Sequence, residues 1–331
     1  MVRLRFLVIA VLCISLAGCS VPASKTVETA KVETTKESKE ERTVKFHDIE
    51  PGEATESQKQ KEKVKEVETE KKQQPENKPE VPSPTQPEFS PAKLEKLDKE
   101  ALEKLDNTRY AWWITMNKEH KTPGIPAVAQ KMIAQNDGIY IGDISKKTVY
   151  LTFDEGYENG YTSRILDTLK ENQVKALFFV TGPYIKTQEA LVKRMLQEGH
   201  QVGNHSINHP SLPAVTIPAL ENELFGLEKE FGSRYGKGFK YMRPPRGEYS
   251  ERTLAAAKAL GYKTIFWSFA YRDFETNNQK GADYAYNMVM KNLHHGAVIL
   301  LHAVSKDNAE ALDRIIKGIQ EEGYTISPFD L

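Results

Sequence analysis

The sequence predicts an α/β protein, a distorted (β/α) barrel of about seven parallel strands preceded by a disordered tether. Three observations carry this reading. From residue 148 onward, short β-branched and aromatic runs alternate with amphipathic helical stretches, the rhythm of parallel strands joined by right-handed crossovers. Composition changes sharply near residue 107: Lys, Glu, Thr, Ser, Gln and Pro dominate before it, whereas Trp112, Trp113 and many Tyr, Phe, Ile and Leu follow it. No Gly-x-Gly-x-x-Gly follows a strand and no phosphate loop is present, which argues against a nucleotide-binding sheet.

The chain opens on Arg3 and Arg5, an apolar run over 6–16, and Leu16-Ala17-Gly18-Cys19. A run of about 11 residues is too short to span a membrane but suits the core of a secretory signal. The small residues before Cys19 resemble the lipobox of bacterial lipoproteins, so 1–19 is expected to be a signal peptide and Cys19 the lipidated residue. The alternative is an ordinary signal peptide cut elsewhere. Cys13 would leave with the signal, so the mature chain could form no disulfide. Residues 20–106 are too poor in large apolar groups to offset the entropy of folding and are expected to be a tether. Leu94, Leu97, Ala101, Leu102 and Leu105 recur at helical spacing. They mark either a short helix docked on the domain or a nascent helix within the tether. Residues 107–145 read as an N-terminal extension and 146–331 as the catalytic domain.

Strands are predicted at 148–153, 175–181, 200–204, 240–243, 263–269, 297–302 and 324–327. Thr-Val-Tyr-Leu-Thr-Phe opens the series, and Lys-Ala-Leu-Phe-Phe-Val-Thr is a short buried strand. Helices are predicted at 163–172, 189–198, 218–231, 250–260, 282–293 and 308–322. Ile165, Leu166 and Leu169 share one face of the first, and Gly199 ends the second.

Ligands bind at the carboxyl ends of the strands in parallel α/β folds. Asp154 and Glu155 follow the first strand, His205 and His209 the third and Asp273 the fifth, while Arg243 closes the fourth and His302 the sixth. All should therefore lie on one rim. Two imidazoles four residues apart, with a carboxylate from a neighbouring strand end, suit Zn²⁺ or another divalent first-row ion at a catalytic site. Asp154 and Glu155 are adjacent, so their side chains diverge on an extended backbone: one can face a metal while the other faces the nucleophile. Adjacent acids cannot easily straddle a glycosidic bond, which weakens a glycosidase reading. The 46 basic and 46 acidic residues cancel, which removes the electrostatic case for a nucleic-acid partner.

These residues resemble the polysaccharide deacetylase family, carbohydrate esterase family 4, over roughly 146–331. Thr152-Phe153-Asp154-Glu155, His205-Ser206-Ile207-Asn208-His209, Arg243-Pro244-Pro245-Arg246-Gly247, Phe269 to Phe274 and Leu300-Leu301-His302 match five motifs in the family's order. The resemblance implies Asp154 as general base, Glu155, His205 and His209 as metal ligands, Arg243 orienting the base, and Asp273 tuning His302 as general acid. The implied cofactor is a divalent ion, zinc by expectation. Two departures stand out: most members carry Asp where this chain has Glu155, and commonly Trp where it has Phe274. The segments around 154–162 and 276–281 look most like the branch that de-N-acetylates muramic acid and forms muramic δ-lactam in spore cortex. The expected partners are peptidoglycan strands and, through Cys19, the outer face of the cell membrane. A deacetylase of N-acetylglucosamine or another extracellular glycan, or a catalytically weak wall-binding lipoprotein, are the alternatives. Arg246 reads either as a ligand for an anionic substrate group or as half of a structural salt bridge.

Overall fold

The computed structural model describes residues 85–90, 97–115 and 119–331. Cys13, Cys19 and the first part of the expected tether lie outside the described residues.

One parallel sheet is built from β1 (Thr148–Glu155), β2 (Leu177–Val180), β3 (Gln201–Asn204), β4 (Tyr241–Met242), β5 (Lys263–Thr264), β6 (Ala297–His302) and β7 (Thr325–Ile326). Its order is β5-β4-β3-β2-β1-β6, with β7 paired to the start of β1. The curled sheet forms a half-barrel whose two edges are joined by irregular chain. Ile265 still donates its N–H to Met242 O, but Ser268 already donates to Val298 O, and Phe269 pairs with Ile299. The strand predicted over 263–269 therefore splits. The carbonyls of Ile265 and Phe266 turn to a buried Arg243 guanidinium instead of extending a ladder.

Ten helices surround the sheet among the described residues: α1 (Lys99–Glu103), α2 (Ala127–Gln135), α3 (Thr162–Glu171), α4 (Gly182–Thr187), α5 (Glu189–Gln197), α6 (Ile217–Glu221), α7 (Leu227–Tyr235), α8 (Glu251–Ala259), α9 (Ala282–Lys291) and α10 (Lys306–Glu321). The helix predicted over 218–231 is α6 and α7 joined through a π turn, Asn222–Gly226. Along β1 the side chains alternate. Val149, Leu151 and Phe153 join the large core that includes Ile165, Leu166 and Leu169 of α3, while Tyr150 joins Phe179, Tyr241 and Val298 in a second cluster.

The expected tether is too long at its C-terminal end. Gln86 donates to Val202 O (2.8 Å) and Gly238 O (2.6 Å) and accepts from Val202 N (2.9 Å). Phe89 lies so close to Gly232 that a Cβ there would meet its ring at 2.3 Å. Asp98 caps α1, and Arg252 of α8 donates to the carbonyls of Leu102, Glu103 and Leu105 at the helix's far end, satisfying acceptors a helix terminus leaves open. Leu102 is buried, with Leu97 and Leu105 packed beside it. Among the described residues of this polar stretch, Phe89, Leu97, Leu102 and Leu105 dock on the domain, and the helical spacing marks a docked helix.

His200, just before β3, accepts from Ala176 N at 3.1 Å through Nδ1 and lies edge-on to Phe178. Burial, then the Lys175 and Arg194 charges, lower its pKa to about 3. The folded protein thus keeps His200 neutral while the unfolded chain protonates near 6.5. Stability is full above that value and falls as pH drops, by about 1.4 kcal/mol per pH unit until roughly pH 3. His200→Asn, which offers an oxygen near the position of Nδ1, should flatten the acid limb of a urea-melt stability profile by that slope; an unchanged slope would show His200 to be no part of it.

Candidate active site

Because β1 alternates, Asp154 follows Tyr150 and Thr152 to the concave side of the sheet, where Arg243 meets it from the end of β4. The guanidinium is fully buried. It donates to Asp154 Oδ1 at 2.6 Å, Thr152 Oγ1 at 2.8 Å, and the carbonyls of Ile265 and Phe266 at 3.2 and 3.3 Å. It also lies 4.2 Å from the centre of the Phe179 ring. Burial of Asp154 opposes its ionisation, but Arg243, helped by His205 and His302, outweighs this and holds the carboxyl below the usual carboxylate range.

The loop after β3 brings in two imidazoles. Ser206 and His209 adopt left-handed backbone conformations (φ 64° and 55°) that cost energy for non-glycine residues. Side chains hold them there: Asn204 Oδ1 accepts from Ser206 N, Ser206 Oγ accepts from His209 N, and Glu223 accepts from both Asn208 nitrogens. Asn204, Ser206 and Asn208 thus support the histidine loop. His205 Nδ1 pairs with Arg243 O at 2.9 Å, which fixes that nitrogen as the N–H donor and leaves Nε2 as the lone pair, 3.5 Å from Asp154 Oδ2. His209 packs edge-on to His205, ring centres 4.8 Å apart. Burial lowers both pKa values, that of His209 to about 4, so both rings are neutral near pH 7.

On the same rim, at the end of the adjoining strand β6 where His302 stands in register with Asp154, His302 Nδ1 bonds Asp273 Oδ1 at 2.8 Å, and the other Asp273 oxygen accepts from His302 N (2.8 Å) and Asn308 Nδ2 (2.6 Å). Tyr271 in turn donates to Asn308. Burial disfavours the imidazolium, but the Asp273 charge and hydrogen bond outweigh it and raise the His302 pKa above its ordinary value. Asp154, His205, His209 and His302 all open on one cavity of about 510 Å³, walled by Tyr157, Trp267 and Phe274 and with Arg246 at its edge.

Glu155 does not join them. It occupies the next position on β1 and so faces the helix layer, where it is fully buried, accepts weakly from Thr162 Oγ1 (3.4 Å) and leaves Oε1 without a partner. Burial and then the Glu158 charge raise its pKa well above the carboxylate range. The ligand set Glu155, His205 and His209 implied by the family resemblance is therefore not assembled: no cluster of three His, Cys, Asp or Glu side chains suited to a metal is present among the described residues. What the cavity offers an ion is the histidine pair with Asp154 beside it.

A parallel half-barrel with acid and imidazole pairs on one rim narrows the possibilities to a few families, and the comparisons decide among them. The family model for polysaccharide deacetylases matches residues 142–265. Peptidoglycan-N-acetylmuramic acid deacetylase PdaA of Bacillus subtilis is 45% identical over 229 residues, 69% of this chain and 87% of that protein. The chain belongs to the polysaccharide deacetylase family. The solved structure of PdaA, a family 4 carbohydrate esterase, matches the deacetylase with a TM-score of 0.66, covering 67% of this chain and 96% of that one. A family 4 carbohydrate esterase from Bacillus anthracis, also 45% identical, matches with a TM-score of 0.57 over 67% of this chain and 95% of its own.

Two residues of the deacetylase's site have roles that the motifs do not assign. Thr152 holds Arg243 from below, and its place two residues before Asp154 on the same strand face could have marked it. Asn308, which fixes Asp273, lies in the first turn of α10 and carries no signal beyond a polar residue at a helix start.

Proposed function

We propose that the enzyme deacetylates the N-acetylmuramic acid of peptidoglycan and that Asp154 and His302 carry the proton transfers. The observation that supports this is the pair of dyads on one cavity: a carboxylate whose ionised form Arg243 favours and an imidazole whose protonated form Asp273 favours. Asp154 takes a proton from water as the oxygen adds to the amide carbon. His302 gives a proton to the nitrogen as the carbon–nitrogen bond breaks, leaving acetate and a free amino sugar. Family 4 deacetylases are in general metal-dependent, and a divalent ion, zinc by expectation, would polarise the carbonyl and acidify the water. His205 and His209 are the side chains that would hold it. Tyr157 and Phe274, both about half exposed, offer ring faces to the sugars.

The choice of muramic acid rests on the similarity to PdaA and on Arg246. That cation borders the cavity with φ 60° and has no ion-pair partner among the described residues, which supports the reading in which it receives the lactyl carboxylate that distinguishes muramic acid from glucosamine. A charge-assisted bond of this kind is worth about 1.5–3 kcal/mol. Arg246→Ala should therefore lower kcat/KM on muramic substrates about 10- to 100-fold and on N-acetylglucosamine oligomers less than twofold; equal losses on both would remove the selectivity role. Mass spectrometry of digested wall tests the substrate itself, because a free muramic amine or its δ-lactam supports the reading and glucosamine alone overturns it. Anchoring through Cys19 at the outer membrane face is the companion proposal, tested by whether Cys19→Ala moves the protein from the membrane to the soluble fraction.

A further inference from the structure

We infer that in this chain the acid following the base has left the metal site: Glu155 positions the turn after β1, and a divalent ion is held by His205 and His209 without it. The inference rests on the metal-dependent reading above and corrects the ligand set within it. Alternation along β1 fixes the direction of each side chain. Asp154 is committed to the concave side by Arg243 at 2.6 Å, so its neighbour must point to the helices. Glu155 lies among side chains of α3 and α4 there: Thr162 bonds it, and Tyr184 bonds Thr162 at 3.3 Å and Glu158 at 3.4 Å. Glu158 closes the turn by accepting from Gly160 N (2.6 Å) and Thr162 N (3.3 Å). Thr181 ties the same segment to the end of β2 through Gly156 O at 3.0 Å.

The turn so fixed presents Tyr157 to the cavity, and Asn159 donates to Val304 O at 2.9 Å, just beyond His302. Glu155 thus acts on the site through the backbone that carries Tyr157. A longer side chain than the family's usual Asp fits this place, because it reaches Thr162 from the strand. Turning Glu155 back toward the histidines would require β1 to lose its extended geometry at Asp154 and with it the contact to Arg243.

The test uses the full chain, stripped with chelator and titrated with Zn²⁺ and with Co²⁺, so that it reads ligands and not turnover. Glu155→Gln keeps the size of the side chain. Its zinc affinity should stay within about twofold of the unchanged chain and its Co²⁺ absorption spectrum should superimpose, whereas His205→Ala and His209→Ala should each weaken zinc at least tenfold and alter the spectrum. A tenfold loss of zinc affinity or a changed spectrum in Glu155→Gln would overturn the inference, as would failure of the unchanged chain to bind zinc. Circular dichroism establishes that each variant is folded. The positioning role predicts a further split: Glu155→Ala should raise KM for a glycan several-fold more than it lowers kcat, with Glu155→Gln restoring KM, and a loss confined to kcat would contradict it. Because zinc binding needs no substrate, failure of the deacetylase reading and failure of this one are separable.

Discussion

Asp154→Asn should abolish measurable deacetylation, a loss on the order of 10³-fold or more in kcat, and should also destabilise the fold. The first effect follows from chemistry: an amide cannot take a proton from water, and general base catalysis contributes about 10²–10⁴-fold. The second follows from the surroundings of Arg243, whose guanidinium is completely buried and has Asp154 as its only ion-pair partner among the described residues. Removing one charge of a buried pair typically costs about 3–5 kcal/mol. The remaining bonds to Thr152 and two carbonyls, and the oxygen that Asn retains, place this variant at the lower end of that range. Acetate release and urea denaturation check both. An inactive protein with unchanged stability would show that the pair contributes no net stability; an active one would remove Asp154 from the reaction.

Much of this arrangement was legible in the sequence, for identifiable reasons. The central strands announce themselves because both faces are buried, which demands runs such as Leu-Phe-Phe-Val and Ala-Val-Ile-Leu-Leu that leave little else for the segment to be. The rim residues could be collected because parallel strands place their carboxyl ends together. The faces were harder. Sequence adjacency requires Asp154 and Glu155 to diverge but cannot say which one meets the histidines; only the position of Arg243, delivered by a strand three places away in the sheet from β1, settles it. The end of β5 was misjudged for a related reason. Residues 265–269 have strand composition, yet they cross between sheet edges because a buried guanidinium needs their carbonyls.

His302→Ala should be nearly as damaging to turnover as the loss of Asp154, about 10²–10⁴-fold, but with little cost in stability. The difference lies in what each variant leaves behind. Without the imidazole, the buried Asp273 carboxylate still accepts from the His302 backbone N–H at 2.8 Å and from Asn308 at 2.6 Å, so no charge is stranded without a donor. Asp273→Asn separates the two halves of the dyad. It keeps the ring but removes the charge that most raises its pKa, so burial then outweighs the smaller contribution of Asp154 and the pKa falls. A general acid must be protonated to act, so the alkaline limb of the rate profile should move to lower pH in Asp273→Asn, with activity recovered in part as the buffer is acidified. A merely structural Asp273 would lower the rate equally at every pH. A His302→Ala enzyme within tenfold of the unchanged rate would mean that the departing amine takes its proton from solvent, and the raised basicity of His302 would then have no part in the chemistry.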